Sequence, residues 1–268
     1  MPGNRVRLDI DDHGVATVAM ERIDKHNALD RAMFDALLDV AAQLAVNKRV
    51  RAVVLHGAGK SFCTGLDIAN FLEARGGGIE QLFARGYGEV ANYAQRAAYD
   101  WSLVPVPVIA AISGNCFGGG LQIALGADIR VAAPDARLSI MEVKWGLVPD
   151  MAITQTLPRI VAVDVAKELT FTGRIVSGSE ALTLGLVTRV AEDPLAAALG
   201  LARAIAQNSP DAVRAAKRLY DETWTRLDPA AALALESELQ IDLLDKPNQV
   251  EAVSAGLQKR TPTFRDPE

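Results

Sequence analysis

The stretch NCFGGGLQIA (residues 115–124) sets three glycines directly in front of an apolar run with helical spacing. Glycine is the costliest residue to order, so a triplet needs either a loop's freedom or a backbone approached so closely that no Cβ fits. Upstream, VPVIAAIS (106–113) is a short buried strand, and downstream LQIALGAD (121–128) is a helix running into a strand, DIRVAA (128–133). Strand, glycine-rich turn, helix, strand is the grammar of an α/β chain, and the triplet stands at its turn.

Working outward, RVRLDI and VATVAM flank the turn-prone DDHG and form a β-hairpin. Asp30 caps a helix that carries Ala32, Phe34, Leu37, Leu38 and Ala41 along or beside one face. VRAVVLHG (50–57) is a further buried strand and ARLSIM (136–141) a short one. Beyond about residue 195 the strand signal stops, and PLAAALGLARAIAQ, DAVRAAKRLYDETW, PAAALALESELQIDLLD and NQVEAVSAGLQK are all helical. The chain divides into a core, residues 1–195, and a helical segment, residues 196–268, whose apolar faces suit packing on another subunit or on the core itself. Gly76–Gly78 sit in a weakly patterned region, 70–90, expected to be a mobile loop near a ligand.

Bulk composition excludes several classes. At 268 residues, half of them hydrophobic, the chain buries a large core. Cys63 and Cys116 are its two cysteines, too few for a disulfide framework, and no Cys/His cluster suggests a metal site. A net charge of −5 without a basic run argues against nucleic-acid binding. No uncharged stretch of about 18 residues could span a bilayer, and charges stand where a signal peptide needs an apolar run. The expectation is a soluble, cytoplasmic protein with no membrane or nucleic-acid partner. GAGKS after the strand 50–57 is no P-loop, because Val54 occupies the position of the required glycine. Neither G-x-G-x-x-G nor G-x-S-x-G occurs, and His13, His26 and His56 read as isolated turn or surface residues.

Two segments remain with chemical potential. FGGGLQIA is either a tightly packed helix start or a site, and KSFCTGLDIANF (60–71) is a strand–loop–helix junction in which Asp67 either caps the helix or serves a ligand. Both offer amides at a helix start, where the first-turn donors lack intrahelical partners. Two such donors converging would form an oxyanion hole, and removal of one donor of that kind typically costs about 3–4 kcal/mol of transition-state stabilisation.

These segments, with ERIDKHNALD (21–30), AVVLHGAGKSFCTGLDI (52–68), MEVKWGLVPD (141–150), FTGRIVSGSEALTLGLVTRV (171–190), NSPDAVRAAKR (208–218) and QKRTPTF (258–264), resemble the enoyl-CoA hydratase/isomerase, or crotonase, superfamily in order and spacing. The resemblance implies a crotonase-type ββα spiral core, an acyl-CoA substrate whose coenzyme A is part of the substrate rather than a cofactor, and a homotrimer or homohexamer. It places the oxyanion hole at the amides of Leu66 and Gly119. It assigns coenzyme A to Lys25, Asn27, Ala28, Ser61, Asp67 and Ile68, with Lys259 as a phosphate partner; Lys25 and Lys259 are alternatively solvated surface charges.

The chain also departs from the family pattern. Hydratases of this type carry two glutamates that hold a water, and the matching positions here are Gln122 and Glu142. A carboxamide cannot act as a general base, though it can orient a water or a carboxylate. Glu142 is the candidate base, and Asp150, in E-x-x-x-G-L-x-x-D, resembles the second acid of the dienoyl-CoA isomerases. Bland alternatives are an ion pair of Glu142 with Lys144 or Arg137, Asp150 as N-cap of MAITQTLPRI (151–160), and Trp145 as pocket wall or core. Double-bond isomerisation is the favoured reaction. The others are hydration by Glu142 alone, hydrolase- or dehalogenase-like chemistry on Asp150, and a non-catalytic acyl-CoA binder.

Overall fold

The computed structural model describes residues 5–69, 81–224 and 228–267. The strands are β1 (Val6–Ile10), β2 (Val15–Met20), β3 (Ala52–Gly57), β4 (Val108–Ile112), β5 (Asn115–Phe117), β6 (Ile129–Ala132), β7 (Arg137–Ser139), β8 (Val176–Ser177) and β9 (Arg189–Val190). A six-stranded sheet has the order β1-β2-β3-β4-β6-β9, and a three-stranded sheet the order β5-β7-β8. The hairpin β1–β2 is antiparallel, with Val6 opposite Met20 and Ile10 opposite Ala16; the other pairings of the larger sheet are parallel. The chain lays β4 in the large sheet, β5 in the small one and then a helix; it repeats the cycle through β6 and β7, which makes the architecture a ββα spiral.

The helices are α1 (Arg31–Val46), α2 (Tyr93–Leu103), α3 (Gly119–Leu125), α4 (Ile153–Thr156), α5 (Val163–Thr172), α6 (Gly178–Thr183), α7 (Pro194–Ala206), α8 (Pro210–Thr223), α9 (Pro229–Leu243) and α10 (Pro247–Gln258). Asp30 caps α1, its carboxylate accepting the Met33 amide at 2.8 Å, and Met33, Phe34, Leu37, Leu38, Val40, Ala41 and Leu44 are buried. Each of the last four helices begins on proline, which costs nothing at a position whose N–H would have no partner. Helix α2 follows the weakly patterned region and was not among the elements read from the sequence. It starts on a capping box in which Asn92 and Gln95 each accept the other's amide at 2.9 Å. The glycines 76–78 lie outside the described residues.

One face of the large sheet packs on the main core with α1, α2 and α3. The other carries Val15, Val54, Ile109 and Val131, and is closed by Ala198 and Ala202 of α7. The core therefore extends past residue 195. A boundary there would cut off the helix that covers half of the parallel sheet, and parallel strands need cover on both faces. Among the described residues no helix is long and apolar enough to cross a membrane.

Candidate active site

Strand β5 feeds the glycine triplet, and each glycine has a different spatial reason. Gly118 has φ +53°, the left-handed region, and turns the chain from β5 into α3. A Cβ on Gly119 would sit 2.7 Å from Met151 Sδ and 3.2 Å from Leu29 Cδ1; one on Gly120 would sit 2.3 Å from the Cys63 carbonyl oxygen. Helix α3 thus lies against the Cys63–Leu66 segment more closely than any side chain allows. Gly65, at φ +84°, faces it: a Cβ there would fall 3.3 Å from the Gly119 nitrogen. Leu66 is held as a bridge to Leu29, with the Leu29 amide donating to Gly65 at 2.8 Å and the Asp67 amide to Leu29 at 3.0 Å. Among the described residues, no protein acceptor takes the amide of Leu66 or of Gly119.

The three acid-site residues also come together. Gln122, 1 % exposed, accepts the Met151 amide on Oε1 at 2.8 Å. A main-chain N–H can only donate, so this bond fixes the amide's orientation and turns Nε2 toward Glu142, where it donates to Oε1 at 2.6 Å. Glu142, 9 % exposed, opens the 3-10 turn Glu142–Trp145; its Oε2 is buried without a hydrogen-bond partner. Burial pushes the Glu142 carboxyl above its ordinary range; the Gln122 amide opposes the shift, and the charge of Asp150 adds to it. Asp150 is half-buried and is itself pushed up by burial.

Several alternatives fall on geometry. Among the described residues Glu142 has no ion pair, and Arg137 lies over the Phe117 ring, 5.6 Å from its centroid. Asp150 is no N-cap, because α4 starts after Ala152, which makes no side-chain cap. Trp145 is 62 % exposed and so is not a core residue.

The proposed coenzyme A set divides. Lys25 is exposed, Ala28 buried and Ile68 half-buried, all on the segments that meet at the Leu29–Leu66 bridge. The side chain of Asn27 is not available to a ligand. It is fully buried, with Nδ2 donating to the carbonyls of Ala58, Ser61 and Phe62 and Oδ1 accepting the Arg22 amide. Its φ of +58° suits an asparagine closing a tight loop. The Ser61 hydroxyl is also turned inward, 3.0 Å from His26 Nδ1. Asp67 spends its carboxylate on Arg22 Nη2 at 2.8 Å. Lys259 is exposed at the left-handed C-cap of α10, and among the described residues no hydrogen bond or ion pair ties it to the site. His56 is not a turn residue but a half-buried member of β3, and burial lowers its pKa. Cys63 and Cys116 bridge side by side, fully buried, with the Cys63 thiol pushed up to about 12, far from a thiolate nucleophile.

This chain's enoyl-CoA hydratase/isomerase profile match runs over residues 11–267. The chain belongs to the enoyl-CoA hydratase/isomerase family. It is 37 % identical over 260 residues to the human mitochondrial enoyl-CoA hydratase domain-containing protein 2, covering 94 % of this chain and 86 % of that one. It is 34 % identical over 249 residues to the short-chain-enoyl-CoA hydratase of Clostridium acetobutylicum, covering 92 % of each. Its fold matches the crystal structure of an enoyl-CoA hydratase from Bacillus anthracis with a TM-score of 0.90 at 30 % identity, over 98 % of this chain and 100 % of that one. Within this family of acyl-CoA-processing enzymes, two residues that matter here escaped the sequence reading. Met151 acts through its backbone amide, which leaves no sequence signal, and Arg22 stands inside the quoted ERIDKHNALD block without an assigned role.

Proposed function

We propose that this family member isomerises the double bond of an enoyl- or dienoyl-CoA thioester. The thioester oxygen accepts the amides of Leu66 and Gly119. Glu142 Oε2 removes a proton from the carbon next to the carbonyl, and the electron pair moves through the conjugated system onto that oxygen. A proton returns at a carbon farther along the acyl chain, delivered by Asp150 or by Glu142 itself, and the double bond has moved with no net change in atoms. Coenzyme A enters and leaves as part of the substrate, and the enzyme works as a homotrimer or homohexamer, which a solution mass measurement tests.

The observation that carries this reading is the Gln122–Glu142 pair. One carboxylate oxygen is held by an amide that cannot trade protons, and the other is buried and unpaired. A second carboxylate, Asp150, stands close enough to raise the first one's pKa. Hydration has its own support in the similarity to a short-chain-enoyl-CoA hydratase. It would need water to be held without a second glutamate.

The test is a panel of 2-enoyl-, 3-enoyl- and 3,5-dienoyl-CoA esters in deuterated water. Isomerisation gives a moved double bond, with deuterium at the new C–H where Asp150 delivers the proton or Glu142 exchanges it with solvent first. A 3-hydroxyacyl product supports hydration instead, free coenzyme A supports thioester hydrolysis, and affinity without turnover on every ester means a binder.

A further inference from the structure

The Leu66 amide is held by nothing of its own; its direction is inherited from the residues on either side. The Gly65 carbonyl accepts the Leu29 amide at 2.8 Å and the Asp67 amide donates to the Leu29 carbonyl at 3.0 Å, so segment 65–67 follows segment 28–30. Arg22 grips both. Its Nη1 donates to the Ala28 carbonyl at 3.0 Å, its Nε lies 3.3 Å from Asp30 Oδ2, and its Nη2 lies 2.8 Å from Asp67 Oδ2. Arg22 is buried, and its main-chain amide is fixed by Asn27 Oδ1 at 2.9 Å. Arg5 pairs with Asp30 at 2.7 Å, so two cations face two carboxylates here.

We infer that Arg22 is a positioning residue for catalysis: its guanidinium sets the direction of the Leu66 amide through the Asp67 carboxylate and the 28–30 backbone. This rests on the reading of Leu66 and Gly119 as the oxyanion pair. The geometry uses what only a guanidinium has, a rigid planar fork that meets three acceptors at once; a lysine ammonium is a single point and cannot reach both segments in register. The effect is one of aim. A hydrogen bond to a developing oxyanion weakens steeply once its angle falls below about 120°, and Leu66 has Gly119 opposite it as a fixed partner.

The test uses the full chain and 2,4-hexadienoyl-CoA, a conjugated thioester whose absorption moves to the red when its carbonyl is polarised. Arg22→Lys and Asp67→Ala are expected to lose most of the red shift on binding and to lower turnover at saturating substrate about tenfold or more. Affinity for the ester should stay within about threefold, a kcat effect without a KM effect. Asp67→Asn keeps an acceptor for Nη2 and is expected to restore most of both signals. Circular dichroism gives the folded fraction of each variant, and if Asp67→Ala does not fold, Arg22→Lys and Asp67→Asn decide. Wild-type red shift and turnover in the folded variants would overturn the inference, as would losses that only track the unfolded fraction. A wild-type protein that binds the ester with no red shift overturns the oxyanion reading itself, a result distinct from failure of the clamp.

Discussion

Replacing Gln122 by glutamate keeps the shape of the side chain and its acceptor for the Met151 amide, and changes only the atom that faces Glu142 from donor to acceptor. Two quantities follow. A hydrogen bond to a charged group is worth about 1.5–3 kcal/mol, and its loss removes the contribution that holds the Glu142 carboxyl down, so its pKa rises further. If both carboxylates stayed in place, two negative oxygens at the 2.6 Å contact would repel by about 6 kcal/mol at an effective dielectric constant of about 20, which acts in the same upward direction. Side-chain movement relieves part of the second contribution but not the first. The pair should then keep one proton into the neutral range, as carboxylates sharing a site do. The assay is the pH dependence of kcat/KM for the isomerised ester. The acid limb should move to higher pH, with most activity recovered on its alkaline side. An unchanged acid limb in a folded Gln122→Glu protein would refute the reasoning, because it would mean that the amide has no hold on the ionisation of the base.

Glu142→Gln should abolish turnover while leaving affinity for acyl-CoA intact, measured by calorimetry; activity within a few fold of wild type would mean that the base is another residue. The same variant carries a stability prediction with a definite sign. The folded-state pKa of Glu142 lies above its ordinary value, so the ionised form destabilises the fold. That penalty is full above the raised pKa and absent below the ordinary glutamate range. Glu142→Gln should therefore melt at or above the wild-type temperature near neutral pH, and the difference should vanish in acid. Asn27→Ala removes the partner of three buried carbonyls and one amide and leaves alanine at φ +58°, so chemical denaturation should show a loss of about 3 kcal/mol or more. Gly120→Ala drives a Cβ against the Cys63 carbonyl and should lower the melting temperature by an amount equivalent to about 1–3 kcal/mol.

Much of this was legible in the chain because it is local. Asp30 three residues before Met33, proline at the starts of the last four helices and alternation through VATVAM each encode an element within a few positions. Gln122, Glu142 and Asp150 were singled out by the resemblance to the family, and the fold sets the Gln122 amide in hydrogen-bond contact with Glu142. The misses have a different character. β8 and β9 are two residues long, too short for any periodicity to register. The partners that the fold gives the side chains of Asn27, Ser61 and Asp67 were not legible, because they lie some 30 residues or more away along the chain. The place of α7 was not legible for the same reason: it looks like its helical successors in sequence and differs only in the sheet beneath it.

A crystal structure with an unreactive acyl-CoA analogue bound tests the central claim most directly. The thioester oxygen is expected at about 2.7–3.2 Å from both the Leu66 and Gly119 nitrogens, with Glu142 Oε2 in contact with the neighbouring carbon. A thioester oxygen bound to any other donors, or an acyl chain running away from Glu142, would contradict it.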